Sequence, residues 1–309
     1  MLTASLILIG AWLLDQGLGE PYRYHPLNGF ARLAGRLEGR LNRRDLAPAA
    51  RRRAGLLGVA ALVLPAVLAT ALLARGPLGW AVELGALYLC LGGRSLREHA
   101  RAVAAPLGRG DLDAARAAVS RVVGRDTRAM DASEVARASV ESTLENGNDA
   151  VFATLLWFLV GGAPAAVAHR LVNTLDALWG YRTERFSDFG RAAARLDDLL
   201  GWLPARLTAA TYAVVSGRLR ASWAAVRDQA GHWPGTNPGT VLAAGAGALG
   251  ATLGGTALYA EGPRERPLLG DGAPAGAAHV ERAATLVERG AWLWLALAAL
   301  LGAVACWGP

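Results

Sequence analysis

The chain has 309 residues, 53% of them hydrophobic and 18% charged, and a mean hydropathy of +0.27. Soluble domains carry about a quarter charged residues, so this balance excludes a disordered chain and a purely soluble enzyme. It fits a polytopic membrane protein with sizeable polar loops. The net charge is +7 and all 32 basic residues are Arg, which removes a Walker A lysine, a Schiff-base lysine and a lysine general base.

Apolar runs occupy residues 1–14, 54–74, 78–92, 150–168, 241–258 and 291–307. Only 54–74 comfortably reaches the roughly 20 residues of a spanning helix; the others are short or interrupted by Gly and Pro. The first run lacks a basic start, and Trp12, Asp15 and Gln16 replace the small residues of a cleavage site, so it reads as a retained helix. The basic stretch Arg40–Arg53 borders a span and reads as a topology signal or a contact with anionic lipid, not with nucleic acid. Cys90 and Cys306 lie in apolar runs and the five His are scattered, which leaves no disulfide framework or zinc site.

Residues 15–53, 94–149 and 169–240 hold nine Arg each, whereas 259–290 holds four against five acids. The positive-inside rule places the three Arg-rich stretches in the cytoplasm. A single span at 150–168 would carry 169–240 outside, a conflict that disappears if 150–180 is a hairpin entering and leaving on one side. Gly161-Gly162-Ala163-Pro164 is the expected break. Non-helical backbone at membrane depth survives only where protein or a cavity shields it, which makes this hairpin a candidate site wall. Segment 199–216 is a further stretch able to enter the bilayer. The loops read as helical: Leu112, Ala115, Val119 and Val122 form one apolar stripe, and Asp131-Ala-Ser133-Glu134 opens another helix. With few alternating β-branched runs, the expected fold is all-α, a polytopic helical membrane protein with helical cytoplasmic loops.

Four polar groups carry candidate chemistry. Glu141, Glu145 and Asp149 are spaced so that a continuous helix stacks them on one face, beside Asn146. Such carboxylates suit Mg²⁺, which keeps waters and binds nucleotide phosphates; the alternative is a solvated face capped at Asn146-Gly147. Asn173 and Asp176 lie one turn apart on the returning arm, followed by Tyr181, where ionisable groups default to function. The bland account pairs Asp176 with Arg170 or Arg182. Of Asp197-Asp198, only one can share a ligand with Asp176, since neighbours point apart on a helix; Arg206 follows. Gly124-Arg125-Asp126-Thr127 either holds an anion or is an ordinary turn and N-cap. Gly245-Ala-Gly247-Ala-Leu-Gly250 matches a dinucleotide fingerprint without the preceding strand, and with Gly254 it reads as close helix packing in the membrane.

The order of these polar positions resembles the CobD/CbiB family of membrane-bound adenosylcobinamide-phosphate synthases. The resemblance begins at Asp15, Gly19, Pro21, His25-Pro26 and Gly35. It is strongest from Gly124-Arg-Asp-Thr through Glu141, Glu145-Asn146, Asp149, Gly161-Gly162, Asn173-Thr-Leu-Asp176, Gly180-Tyr181, Phe189-Gly190 and Asp197-Asp198 to Pro204-Ala-Arg206, and it continues at Gly254-Gly255, Tyr259 and Gly262. Two departures stand out. The family's Gly-Asp-Pro is Gly19-Glu20-Pro21, and its Ser-Pro-Asn-Ala-Gly is Gly235-Thr-Asn237-Pro-Gly239.

The resemblance implies a single membrane-embedded domain over residues 1–309, with a cytoplasmic helical layer mainly from 94–149 and 181–240, in a bacterial inner membrane. It implies an ATP- and Mg²⁺-dependent ligase that joins adenosylcobyric acid, a corrinoid, to (R)-1-amino-2-propanol or its O-phosphate, with other late cobalamin enzymes as partners. Glu141, Glu145 and Asp149 are then candidate Mg²⁺ ligands. Glu141, Glu145, Asp176 and Asp198 are the candidate catalytic groups, Asp176 or Asp198 holding the amine. Arg125 and Arg206 are candidate phosphate contacts, and Asp126, Asn146, Asn173, Tyr181, Asn237 and His25 candidate substrate contacts. The competing readings are a Mg²⁺-dependent intramembrane transferase of a diphosphate substrate and a non-catalytic scaffold for corrinoid enzymes. The transferase lacks its paired Asp motif, since no second Asp follows Asp176 at helical spacing.

Overall fold

A computed structural model describes residues 2–21, 24–259 and 262–307; the Cys306 side chain lies outside the described residues. In chain order the helices are α1 (Leu2–Leu18), α2 (Pro26–Leu41), α3 (Pro48–Ala74), α4 (Gly79–Cys90), α5 (Gly93–Gly108) and α6 (Leu112–Val119). There follow α7 (Ala132–Gly147), a π-turn (Asn148–Phe152), α8 (Ala153–Trp179), α9 (Arg191–Ser216), α10 (Leu219–Gln229), α11 (Thr236–Leu249) and α12 (Ala277–Trp307). The chain divides into two compact units, one of Met1–Gly92, Ala153–Gly201 and Leu297–Pro309, the other of Gly93–Phe152 and Trp202–Ala296.

Three helical stretches are long and apolar enough to cross a membrane: Pro48–Ala74, Ala132–Trp179 and Ala277–Ala305. In the second, the apolar sequence begins at residue 150; α7 ahead of it carries Glu134, Arg137, Glu141 and Glu145 and lies outside that span. The sequence expectation of a single adequate span falls short because helices run on into flanking sequence, as α12 does for 30 residues beyond Ala277. Leu56, Leu57, Leu64, Leu68 and Leu72 of α3 and Leu297, Leu300, Leu301 and Val304 of α12 are exposed, the outward apolar faces that lipid accommodates.

In the first unit, Ala34, Val59, Leu62, Leu175, Trp179 and Phe189 form a core among α2, α3, α8 and the turn before α9. Trp179 meets Phe189 edge-on at 5.0 Å, and a Cβ at Gly55 would fall 1.9 Å from the Phe189 carbonyl oxygen. The expected break in α8 is present. Gly161 (φ −148°, ψ 25°) and Gly162 (φ 67°, ψ −163°) leave the helical conformation, and the positive φ at Gly162 is one that glycine adopts without Cβ strain. Glu83 of α4 shields the break, its Oε2 accepting the Ala163 N–H at 3.0 Å.

The second unit has a core of Val103, Ala115, Val119, Met130, Val135 and Ala138, which includes the predicted α6 stripe. As predicted, Asp131 opens α7, with a full capping box to Glu134. Helix α11 runs through the interior, buried from Gly239 to Leu249.

Two expectations are corrected here. The 241–258 run is not one membrane helix: α11 stops at Gly250, which is left-handed (φ 65°). Close packing holds at Gly245 against Leu144 and at Gly247 against Ser222, whereas Gly254 lies beyond the helix. The fold is also not purely α. Short strands β1 (Ala251–Thr252), β2 (Ala257–Tyr259), β3 (Gly262–Arg264) and β4 (Ala273–Pro274) follow α11, with β1 parallel to β4 and β2 antiparallel to β3. Strands of two or three residues are too short to register as alternation in sequence, and positive-φ glycines at 250, 254, 255, 262 and 270 break any helical continuation.

Candidate functional site

The second unit gathers its polar residues where α7 faces the 253–269 segment. Glu141, 1% exposed, has its carboxylate occupied: Arg125 pairs with Oε2, Arg266 Nη1 reaches Oε2 at 2.7 Å, and the Gly254 N–H donates to Oε1 at 2.8 Å. Burial alone would raise this carboxyl, but the two guanidiniums override it and hold the group below its ordinary value. Arg125 is in turn kept charged against its own burial by Glu141 and Tyr259. Arg266 also lies 5.2 Å over the Trp233 ring.

One turn further, Glu145 is in the opposite situation. Burial, then the like charges of Glu141 and Asp149, push its carboxyl up to about 8. Asp149 is the second residue of the π-turn; its Oδ1 accepts from Asn148 Nδ2 at 2.8 Å. Among the described residues, no three His, Cys, Asp or Glu side chains gather as a metal cage. Glu141 is engaged by two arginines, while Glu145 feels the like charge of both Glu141 and Asp149, a crowding that a divalent cation relieves. Two carboxylates fit Mg²⁺, an ion that keeps most of its waters. Asn146 is exposed, its amide donating to Ser142 O at 2.8 Å.

Arg206 and Asn237, 31 residues apart in sequence, meet in this unit. Arg206 Nη1 donates to Asn237 Oδ1 at 3.0 Å and to Trp202 O at 2.7 Å, and the guanidinium stacks 4.2 Å over the Trp202 ring. Asn237 lies in the first turn of α11, which follows the N-cap Gly235. Asp126 reads as the turn alternative: its carboxylate accepts the Arg128 N–H and guanidinium, which lower it to about 2, and its own N–H bonds Leu258 O. Beside it, Arg125, Glu134, Arg137 and the 256–258 backbone line a pocket of about 100 Å³.

In the first unit, Arg170 Nη1 donates to Asn173 Oδ1 and Asn173 Nδ2 donates to Asp197 Oδ1, both at 3.2 Å. The member of the Asp pair that meets α8 is thus Asp197; Asp198 is exposed. Asp176 curls over the end of α8, where a Cβ at Gly180 would come 2.0 Å from its Oδ1. Tyr181 is exposed. His25 is the N-cap of α2, its Nδ1 accepting the Leu27 N–H at 3.2 Å.

The family model for CobD/Cbib protein matches residues 8–287. The chain belongs to the CobD/CbiB family. It is 50% identical to the cobalamin biosynthesis protein CobD of Chromobacterium violaceum, over 98% of this chain and 99% of that one. It is 52% identical to the protein of that name from Stutzerimonas stutzeri, over 95% and 96%, and 40% identical to that of Mycobacterium tuberculosis, over 91% and 90%. No solved structure matches the chain significantly. Sequence reasoning on this family member missed Arg266, Trp233 and the Gly254 N–H. The available signal is the Gly-Pro-Arg-Glu-Arg-Pro segment that follows Gly254-Gly255.

Proposed function

We propose that this protein acts in cobalamin biosynthesis as an ATP-dependent amide ligase at the bacterial cytoplasmic membrane, its site facing the cytoplasm. It would join a carboxylate of adenosylcobyric acid to the amine of (R)-1-amino-2-propanol or its O-phosphate. The observation that carries the reading is family membership across residues 8–287, with relatives named for cobalamin biosynthesis.

A carboxylate resists attack by an amine because its leaving group would be oxide. ATP removes that obstacle by turning the oxygen into a phosphate or adenylate leaving group, and the amine then forms the amide and loses a proton. Glu145 and Asp149 would hold Mg²⁺, which supplies charge neutralisation at the ATP phosphates when bound. Arg206, fixed by Asn237 and Trp202, would present two-pronged donors to a phosphate. Arg125 and Arg137 line the pocket that would take a second oxyanion. Glu141 acts through others: it sets the positions of Arg125 and Arg266 and of the Gly254 backbone.

The test uses purified protein in nanodiscs with adenosylcobyric acid, ATP, Mg²⁺ and either amine, following corrinoid mass by LC–MS. An ATP-dependent gain matching one amide supports the ligase and identifies the amine. No gain from folded protein with either amine refutes it, and diphosphate release from an isoprenoid substrate would favour the transferase.

A further inference from the structure

Arg170 stands on the second arm of α8, within a stretch apolar enough to enter a bilayer, where an ionisable group is costly unless its charge is offset. Among the described residues its guanidinium makes one hydrogen bond, to the neutral Asn173 Oδ1, and no ion pair. Its Nε is buried with no acceptor. One residue earlier, His169 is 2% exposed and its Nδ1 is also buried without a partner.

The Asn173 amide in turn donates to Asp197 Oδ1. His25 lies near enough to feel Arg170, and burial with that positive charge holds its imidazole below the ordinary value although Glu20 opposes them. A neutral imidazole whose Nδ1 accepts the Leu27 N–H offers the guanidinium no charge. An arginine has five donors, and among the described residues its guanidinium hydrogen-bonds one neutral oxygen. Buried charges persist when paired, and a guanidinium fork matches a phosphate oxyanion in shape as well as charge.

We propose that Arg170 forms an oxyanion site in the first unit that takes the phosphate group of a phosphate monoester or of a phospholipid headgroup, with His169 close enough in charge to report on it. The site is separate from the Arg125 and Arg206 positions invoked for ATP. Its test involves no turnover, so failure of the ligase reading leaves it standing.

The experiment uses the full chain, delipidated in a maltoside detergent, with ¹⁵N-labelled histidine, and follows the His25 and His169 imidazole signals by NMR. Inorganic phosphate is titrated in one arm and phosphatidic acid in the other. A saturable shift of these signals is expected in at least one arm, and the responding arm identifies the soluble or the lipid source. Arg170→Gln should weaken the response about ten- to hundred-fold, the loss of a charged hydrogen-bond pair. Arg206→Gln should leave it unchanged. If Arg170→Gln fails to fold, Arg170→Lys, which keeps the charge without the fork, should bind measurably more weakly. Silence of both histidines in both arms, or an Arg170 variant responding like the wild type, overturns the proposal.

Discussion

Both Glu141 carboxylate oxygens are taken by Arg125, Arg266 and the Gly254 N–H, whereas Glu145 one turn later faces burial and like charge. The same substitution should therefore give opposite results at the two positions. Glu141→Gln strands two mostly buried guanidiniums, and removing one partner of a buried ion pair typically costs about 3–5 kcal/mol. A lower melting temperature in nanodiscs, with release of the 253–269 segment to hydrogen exchange, is expected; unchanged melting would show that the network carries no weight. Glu145→Gln replaces a carboxyl already disfavoured as an anion, so melting should hold or rise while Mg²⁺-dependent turnover disappears. Full activity in Glu145→Gln would remove that residue from the mechanism. At Arg206, Lys keeps the charge but loses the stacked fork; a rise in the KM for ATP of about tenfold with little change in kcat is expected. Equal loss of both parameters would instead indicate a group acting at the reacting atoms.

At the scale of elements, the break in α8 is held by Glu83 and the turn after α8 by a group of polar contacts to α2, α3 and Asn42. A methyl at Gly162 would sit 2.8 Å from Glu83 Oε1 on a positive-φ backbone. Gly162→Ala should therefore cost about 1–3 kcal/mol, visible in thermal melting, and no loss would mean the break can relax. The turn from 180 to 190 is tied down by Glu38, whose oxygens bind Arg185 Nε at 3.0 Å and Nη2 at 2.6 Å and which also accepts from Asn42. Burial by itself would raise the Glu38 carboxyl, but Arg185 and Asn42 hold it below its ordinary value. A carboxylate depressed on folding contributes stability above its unfolded pKa and loses it as pH falls through the lower, folded value. Proteolysis of the 180–190 turn should accordingly increase below about pH 4, where carboxylates protonate, and be high and flat with pH in Glu38→Gln. A wild-type turn equally protected at low pH would assign its docking to Phe189 packing and to the Asn42 and Arg51 bonds to its backbone carbonyls.

For the molecule as a whole, what could be read in sequence was whatever repeats at helical period or carries a strong local signal. The Asp131 capping box, the α6 stripe and the Gly161-Gly162 break all have causes within a few residues of themselves. The ring around Glu141 does not: Arg266 is 125 residues away, and two- or three-residue strands present it. The contrast between Glu141 and Glu145 was equally hidden, because the partners of each carboxylate exist only after folding. This bears on topology. Arginine counting set 259–290 apart from the cytoplasmic stretches, yet Arg266 pairs with Glu141 of α7 at 2.7 Å, and the Asp126 N–H bonds Leu258 O at 2.9 Å. Residues 254–266 must then share a membrane side with the loop before α7, because an ion pair and a backbone bond cannot form across a bilayer. Arg128 and Glu265 are both exposed, so single cysteines there, in a background lacking Cys90 and Cys306, should label together with an impermeant maleimide. Both should react in inverted membrane vesicles and neither in intact spheroplasts. Labelling of the two positions from opposite sides would break the Arg266–Glu141 contact in the membrane and with it the grouping of the site around α7.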